Sequence, residues 1–169
     1  MDPDAMTLET LLETEAIKRL KYKYMRCVDM KLWDEMAEVF LPDATAAYSA
    51  GHYSYEGRDA IIAWLRKGMD RDAFHSSHSV HHPEIELVSA DRATGIWALE
   101  DVVIDLDYDI VISGAAFYHD RYVKREGRWW IEHTGYERVF EQLESRKDRP
   151  SLRLTASMWS TGGASSIKA

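Results

Sequence analysis

Asp101 is a residue that a plain core would not need. Alternation along Gly95 to Val103 puts Trp97, Leu99, Asp101 and Val103 on one side of a strand. The other side carries Ile96, Ala98, Glu100, Val102 and Ile104. Both sides are largely apolar, which predicts a central strand covered on each face. A carboxylate is costly to bury there without a hydrogen-bonding or charged partner. Histidines are the nearest supply: His75, His78, His81 and His82 fall within eight residues, just ahead of a strand expected to begin at Pro83. Spacing leaves three readings open. They are solvated loop histidines, metal ligands in a recurring His-x-x-His pattern, or one general base that enters the core and pairs with Asp101. A carboxylate that orients an imidazole fixes its tautomer and stabilises the imidazolium formed on taking a proton. The third reading accounts for the acid and the histidine together and is preferred.

Tyr24 and Asp29, near the end of the first predicted helix, are the other polar intruders. Tyr24 continues an apolar stripe, so it is read equally as a core tyrosine with a satisfied hydroxyl. Asp29 also suits a turn between two helices. Arg138 falls among Tyr136, Phe140 and Trp130, where its stem packs on aromatics while its head reaches water. Neither Cys27 nor any serine forms a nucleophile motif, and no Gly-x-Gly-x-x-Gly or Walker loop is present. Covalent catalysis and nucleotide binding therefore lack support, and no metal or organic cofactor is called for.

The elements that must position these groups come in two halves. Leu8, Leu11, Leu12, Ile17, Leu20, Tyr24, Cys27 and Val28 recur at helical spacing, with Lys18, Arg19, Lys21 and Lys23 assigned to the opposite, solvated face. A shorter helix carries Trp33, Met36, Val39 and Phe40 and is expected to stop before Pro42. A strand over 44–49, a turn at Gly51 and a helix over 58–68 follow. Beyond residue 70 the period becomes 2, with strands expected over 93–106, 117–124 and 128–140 and a hairpin turn at Glu126-Gly127. Helices first and a meander afterwards predict an α+β fold: N-terminal helices packed on a strongly curved, mixed or antiparallel sheet, a cone-shaped α+β barrel. One domain over 1–145 and a loosely held tail over 146–169 are expected.

Composition narrows the partners. The net charge of −8 repels a phosphate backbone, which argues against nucleic acid. No apolar run approaches the roughly 20 residues needed to span a bilayer. The acidic start, Met1-Asp2-Pro3-Asp4, lacks the features of a signal peptide, and the single cysteine fits a reducing cytoplasm.

Five blocks carry a resemblance. They are Glu15–Lys21 with Tyr24–Asp29 and Trp33-Asp34; His78 with His82-Pro83-Glu84-Ile85; Ala93–Asp101; Gly114–Tyr118; and Thr134–Arg138. In order over roughly 15–140, they make the chain similar to the SnoaL-like proteins, the bile-acid 7α-dehydratases foremost. The resemblance implies the nuclear-transport-factor-2-like cone shared with scytalone dehydratase and ketosteroid isomerase. It implies a cofactor-independent hydro-lyase acting on a hydrophobic hydroxylated ketone or enone such as a steroid, with Tyr24, Asp29, His78 and Asp101 catalytic and Tyr48 and Arg138 at the substrate. It also implies a homo-oligomer, trimer or dimer. The chain departs from the dehydratase pattern at Ser79-Val80-His81, at Ser49–Tyr55 and in the tail, which bears on substrate choice. Two other functions fit the same cone: a polyketide cyclase or ketosteroid-type isomerase, and a non-catalytic module such as the small subunit of a ring-hydroxylating dioxygenase. His78 and Asp101 within hydrogen-bond reach inside a closed, apolar pocket would favour an enzyme, and separation of the two, or a pocket filled with side chains, the module.

Overall fold

The computed structural model describes residues 7–167, so the acidic start at Met1–Asp4 lies outside the described residues. Helix α1 (Leu8–Asp29) begins at a reciprocal cap: Thr7 accepts from the Thr10 amide at 3.1 Å, and the Thr10 hydroxyl answers the Thr7 amide at 2.9 Å. Ile17, Leu20, Tyr24, Cys27 and Val28 form its buried stripe. The stripe starts later than the spacing predicts, because Leu8, Leu11 and Leu12 remain exposed. Lys21 also departs from expectation. It lies in the buried stripe and is completely inaccessible, whereas its charge had assigned it to the solvated face.

Helix α2 (Trp33–Ala37) is shorter than expected, and Phe40 opens strand β1 (Phe40–Tyr48) instead of closing the helix. Pro42 therefore sits inside a strand. Proline lacks an N–H for the ladder, and the register of β1 slips between Phe40 and Thr45, around that gap. Strand β2 (Tyr53–Glu56), helix α3 (Arg58–Met69), and strands β3 (Phe74–Leu87), β4 (Arg92–Asp105), β5 (Ile110–Arg125) and β6 (Arg128–Ser145) complete the body. The histidine segment is thus the first part of β3 and not a loop preceding a strand at Pro83. The β5–β6 turn places Glu126 and Gly127 at φ 52° and 76°, the left-handed pair that matches the twist of a tight hairpin.

The six strands form one sheet in the order β2-β1-β6-β5-β4-β3, antiparallel except for the parallel β1–β6 pair. β2 and β3 are its two edges, so the sheet curls without closing. Helices α1 and α3 cover its concave side, α1 against β3 and β6 and α3 against β1 and β2. The core between them holds Ile17, Trp97, Leu99, Ala116, Tyr118 and Ile131. β4 is one strand in from an edge, and its outer side, with Val102 and Glu100, is open to solvent. The expectation of cover on both faces is corrected there. The tail has more structure than expected: a 3₁₀ turn (Arg146–Asp148), then helix α4 (Met158–Thr161). Trp159 donates to the Phe74 carbonyl at 3.3 Å, and the Lys31 ammonium lies 4.1 Å from its ring centroid.

Candidate active site

Asp29 ends α1, where the carbonyl end of the helix disfavours negative charge. Three donors from β3 compensate. The Ser76 hydroxyl reaches Oδ1 at 2.8 Å, the His78 amide reaches Oδ2 at 2.9 Å, and His78 Nδ1 reaches Oδ1 at 2.7 Å. Burial pushes the Asp29 carboxyl up, but its hydrogen bonds and the charge of His78 outweigh burial and hold it below its ordinary value. An ionised carboxylate can only accept, so Nδ1 carries a hydrogen, and in the neutral ring the lone pair is then on Nε2. Nε2 has no protein partner among the described residues, and the side chain is 11 % exposed. An oriented imidazole with a free basic nitrogen is the chemistry expected of His78, but its carboxylate is Asp29.

Asp101 is engaged elsewhere. It lies directly across the ladder from His78, on the same face of the sheet. Its two oxygens nevertheless face the Arg138 guanidinium, with Nη2 donating to Oδ2 at 2.9 Å and Nη1 to Oδ1. The expected His78–Asp101 pair is therefore replaced by two adjacent pairs, Asp29–His78 and Asp101–Arg138. Strand alternation shows which residues share a face; it cannot show that the end of α1 reaches that face first. Gly114 completes the second pair. It lies opposite Asp101, and a Cβ there would sit 2.5 Å from the Phe140 carbonyl oxygen and 3.2 Å from Arg138 Nη1. The Asp101 side chain is only 3 % exposed, so removing its counterion leaves a buried charge. Arg138→Met is expected to cost about 3–5 kcal/mol in urea unfolding, and adding Asp101→Leu should recover most of it. Equal stability of the single and double variants would contradict the pairing.

Tyr24 and Tyr48 meet hydroxyl to hydroxyl at 3.0 Å, both buried. Tyr118 packs edge-on against Tyr24, with ring centroids 6.3 Å apart. Burial pushes all three phenols well above their usual range, so each stays protonated and available as a donor. Asp29 does not touch Tyr24; its contacts are with Ser76 and His78. Trp64 of α3 stacks on Tyr48 with centroids 5.1 Å apart, and the Arg138 guanidinium lies 5.1 Å from the Tyr136 ring.

Among the described residues, no group of three or more His, Cys, Asp or Glu side chains could hold a metal ion. Alternation along β3 sends His75 and His81 to the side opposite His78. Ser76, Tyr118, Lys21 and Asp120 are absent from the site expected from sequence. For Lys21 a signal existed: it lies four residues after Ile17, three before Tyr24 and seven before Val28, which is the spacing of the stripe itself.

A cone of helices on a curled sheet, with a carboxylate–imidazole pair on its concave side, has relatives. The sequence profile of the SnoaL-like domain family matches residues 9–135, and the chain belongs to that family. Three solved structures share the fold. One, assigned as a scytalone dehydratase from Novosphingobium aromaticivorans, is 24 % identical, with a TM-score of 0.73 over 81 % of this chain and 91 % of its own. The hexachlorocyclohexane dehydrochlorinase LinA-type3 from Novosphingobium barchaimii is 21 % identical, with a TM-score of 0.73 over 81 % and 93 %. ActVI-ORFA from Streptomyces coelicolor is 16 % identical, with a TM-score of 0.64 over 75 % and 96 %. At these identities the likeness establishes the fold. Among the described residues, no helix is long and apolar enough to cross a membrane.

Proposed function

We propose that this chain is a cofactor-independent carbon–oxygen lyase that removes water from a hydrophobic hydroxylated ketone or enone, such as a 7-hydroxylated 3-oxo-4-ene steroid. The observation that carries the reading is the 2.7 Å contact between Asp29 and His78, with Nε2 left free. His78 Nε2 takes the proton made acidic by the carbonyl, and the C–H electron pair becomes the new double bond. The C–O bond breaks, and the departing hydroxide leaves as water with the proton returned by the imidazolium. Asp29 stabilises that imidazolium throughout. A phenol of the Tyr24–Tyr48 pair donates to the oxygen that gains charge, a contact typically worth on the order of 3 kcal/mol in the transition state. Arg138, held flat by Asp101, adds positive charge on the same side.

The names of two structural neighbours, a dehydratase and a dehydrochlorinase, describe eliminations of this kind and support the class. The separation of His78 from Asp101 counts toward a binding or assembly module; against it, Asp29 supplies the orienting carboxylate in Asp101's place, an arrangement such a module does not need. The test is a mass-spectrometric screen of purified protein against 7-hydroxylated 3-oxo-4-ene steroids, with His78→Ala alongside. Loss of one water by the wild type alone is expected. Conversion without loss of water would replace dehydration by isomerisation or cyclisation, and equal conversion by His78→Ala would remove the base.

A further inference from the structure

A third charged pair lies deeper than the two at the site, and the proposed reaction makes no use of it. Lys21 is completely buried and Asp120 is 2 % exposed, with Nζ 2.7 Å from Oδ2. Every oxygen of the carboxylate is engaged. The Tyr122 hydroxyl donates to Oδ2 at 2.6 Å and the Thr134 hydroxyl to Oδ1 at 2.7 Å, while Trp97 Nε1 donates to the Tyr122 hydroxyl at 2.9 Å. Four elements, α1, β4, β5 and β6, are tied together through this one acid. A buried ion pair is poor value as glue, since apolar side chains of like volume often stabilise a fold as well or better. What apolar side chains cannot supply is a fixed charge against a ring. The Lys21 ammonium lies 3.5 Å from the centroid of Tyr118 and 4.8 Å from that of Tyr24.

The Tyr24 ring carries a hydroxyl bonded to that of Tyr48 at 3.0 Å, and Tyr118 packs edge-on against it with ring centroids 6.3 Å apart. The two bonded phenols, Tyr24 and Tyr48, carry two hydrogens, and one is consumed between them. One remains for an acceptor outside the pair. A cation against the ring face draws electron density from the phenol and attracts the ring itself, so it both polarises the donor and restricts where it points.

We propose that Lys21 and Asp120 are positioning residues for this tyrosine pair: Asp120 clamps the ammonium against Tyr118 and Tyr24 and so sets the direction in which the pair's one spare hydrogen is donated. The assignment of that hydrogen to a substrate oxygen rests on the lyase reading; the clamp itself does not.

The experiment is made on the full chain with tyrosine labelled by carbon-13 at Cζ, the resonances being assigned through Tyr24→Phe and Tyr118→Phe. The double variant Lys21→Met/Asp120→Asn keeps the bulk and one acceptor oxygen, turns a donor NH2 toward the other of the Tyr122 and Thr134 hydroxyls, and removes both charges. Displaced Tyr24 and Tyr118 resonances are expected in a protein that still melts cooperatively, together with faster exchange of the pair's hydroxyl protons. On any compound the wild type dehydrates, kcat should fall at least tenfold with KM within about threefold, a split that a purely structural role would not produce. Should the double variant not fold, Thr134→Val loosens Asp120 with both charges kept and is expected to move the same resonances by less. Unmoved Tyr24 and Tyr118 signals in whichever of these variants folds overturn the proposal. A wild type that converts nothing sinks the lyase reading alone, since the resonances still decide the clamp.

Discussion

Asp29→Asn is expected to lower dehydration about 10²–10⁴-fold, close to the loss from His78→Ala, in a protein that remains folded. An amide in place of the carboxylate offers hydrogens to a site built entirely of donors. The amide nitrogen facing Nδ1 favours the tautomer with hydrogen on Nε2, which removes the lone pair the reaction needs. Nitrogen-15 shifts of His78 report that tautomer without any substrate. A wild type with hydrogen on Nδ1 and an Asp29→Asn variant with hydrogen on Nε2 are the expected result. Asp101→Asn is expected to leave the His78 tautomer unchanged, because its carboxylate serves Arg138. A tautomer that follows Asp101 instead of Asp29 would reverse the assignment.

Alkaline pH is the second large effect. Burial pushes Tyr24, Tyr48, Tyr118 and Tyr122 well above the ordinary tyrosine value in the folded chain. Their contribution to stability is fully present below pH 10, where both states hold the proton, and is lost above it, as the unfolded chain ionises and the folded one does not. Each such phenol removes about 1.4 kcal/mol per pH unit, so the four together remove roughly 5 kcal/mol per unit. Burial pulls Lys21 the other way, below the usual lysine value, so stability rises with pH until the unfolded lysine has also titrated. One lysine offsets one tyrosine over that narrow window only. With total stabilities of about 5–15 kcal/mol, the chain should unfold cooperatively within one to three units above pH 10. Phenolate absorbance should show four of the nine tyrosines appearing together with the loss of circular dichroism. A smooth titration of all nine with the fold intact would show the phenols to be accessible.

The α+β order, the α3 helix, the Glu126-Gly127 turn and the faces of β4 were legible because each follows from a local period or a turn residue. What escaped is non-local or runs against a prior. Pro42 marks a register slip inside β1, and proline alone does not distinguish a helix stop from a strand irregularity. The histidines belong to a strand because β4 pairs with them, and pairing is not written in their own spacing. Lys21 sits on the buried stripe by spacing, yet charge overrode period in assigning it; only Asp120, ninety-nine residues on, makes its burial tolerable. Tyr24 lies on the helical stripe and Asp101 on the β4 face that alternation gives it, whereas spacing alone does not single out His78, and its partner was misjudged because the helix end that supplies it comes from another layer.

The unclosed sheet has a consequence for crowding. His78 is carried by β3, an edge strand fourteen residues long, and a bare edge of that length is a template on which other chains can add strands. The ladder of β3 breaks between His81 and Glu84, His82 is turned to φ 28°, and Pro83 has no hydrogen to offer a newcomer. Glu84 and Glu86 then set charge beside the break. Nearer the base, Trp159 already occupies the Phe74 carbonyl. The strand that carries His78 is thereby made a poor seed for polymerisation along its rim.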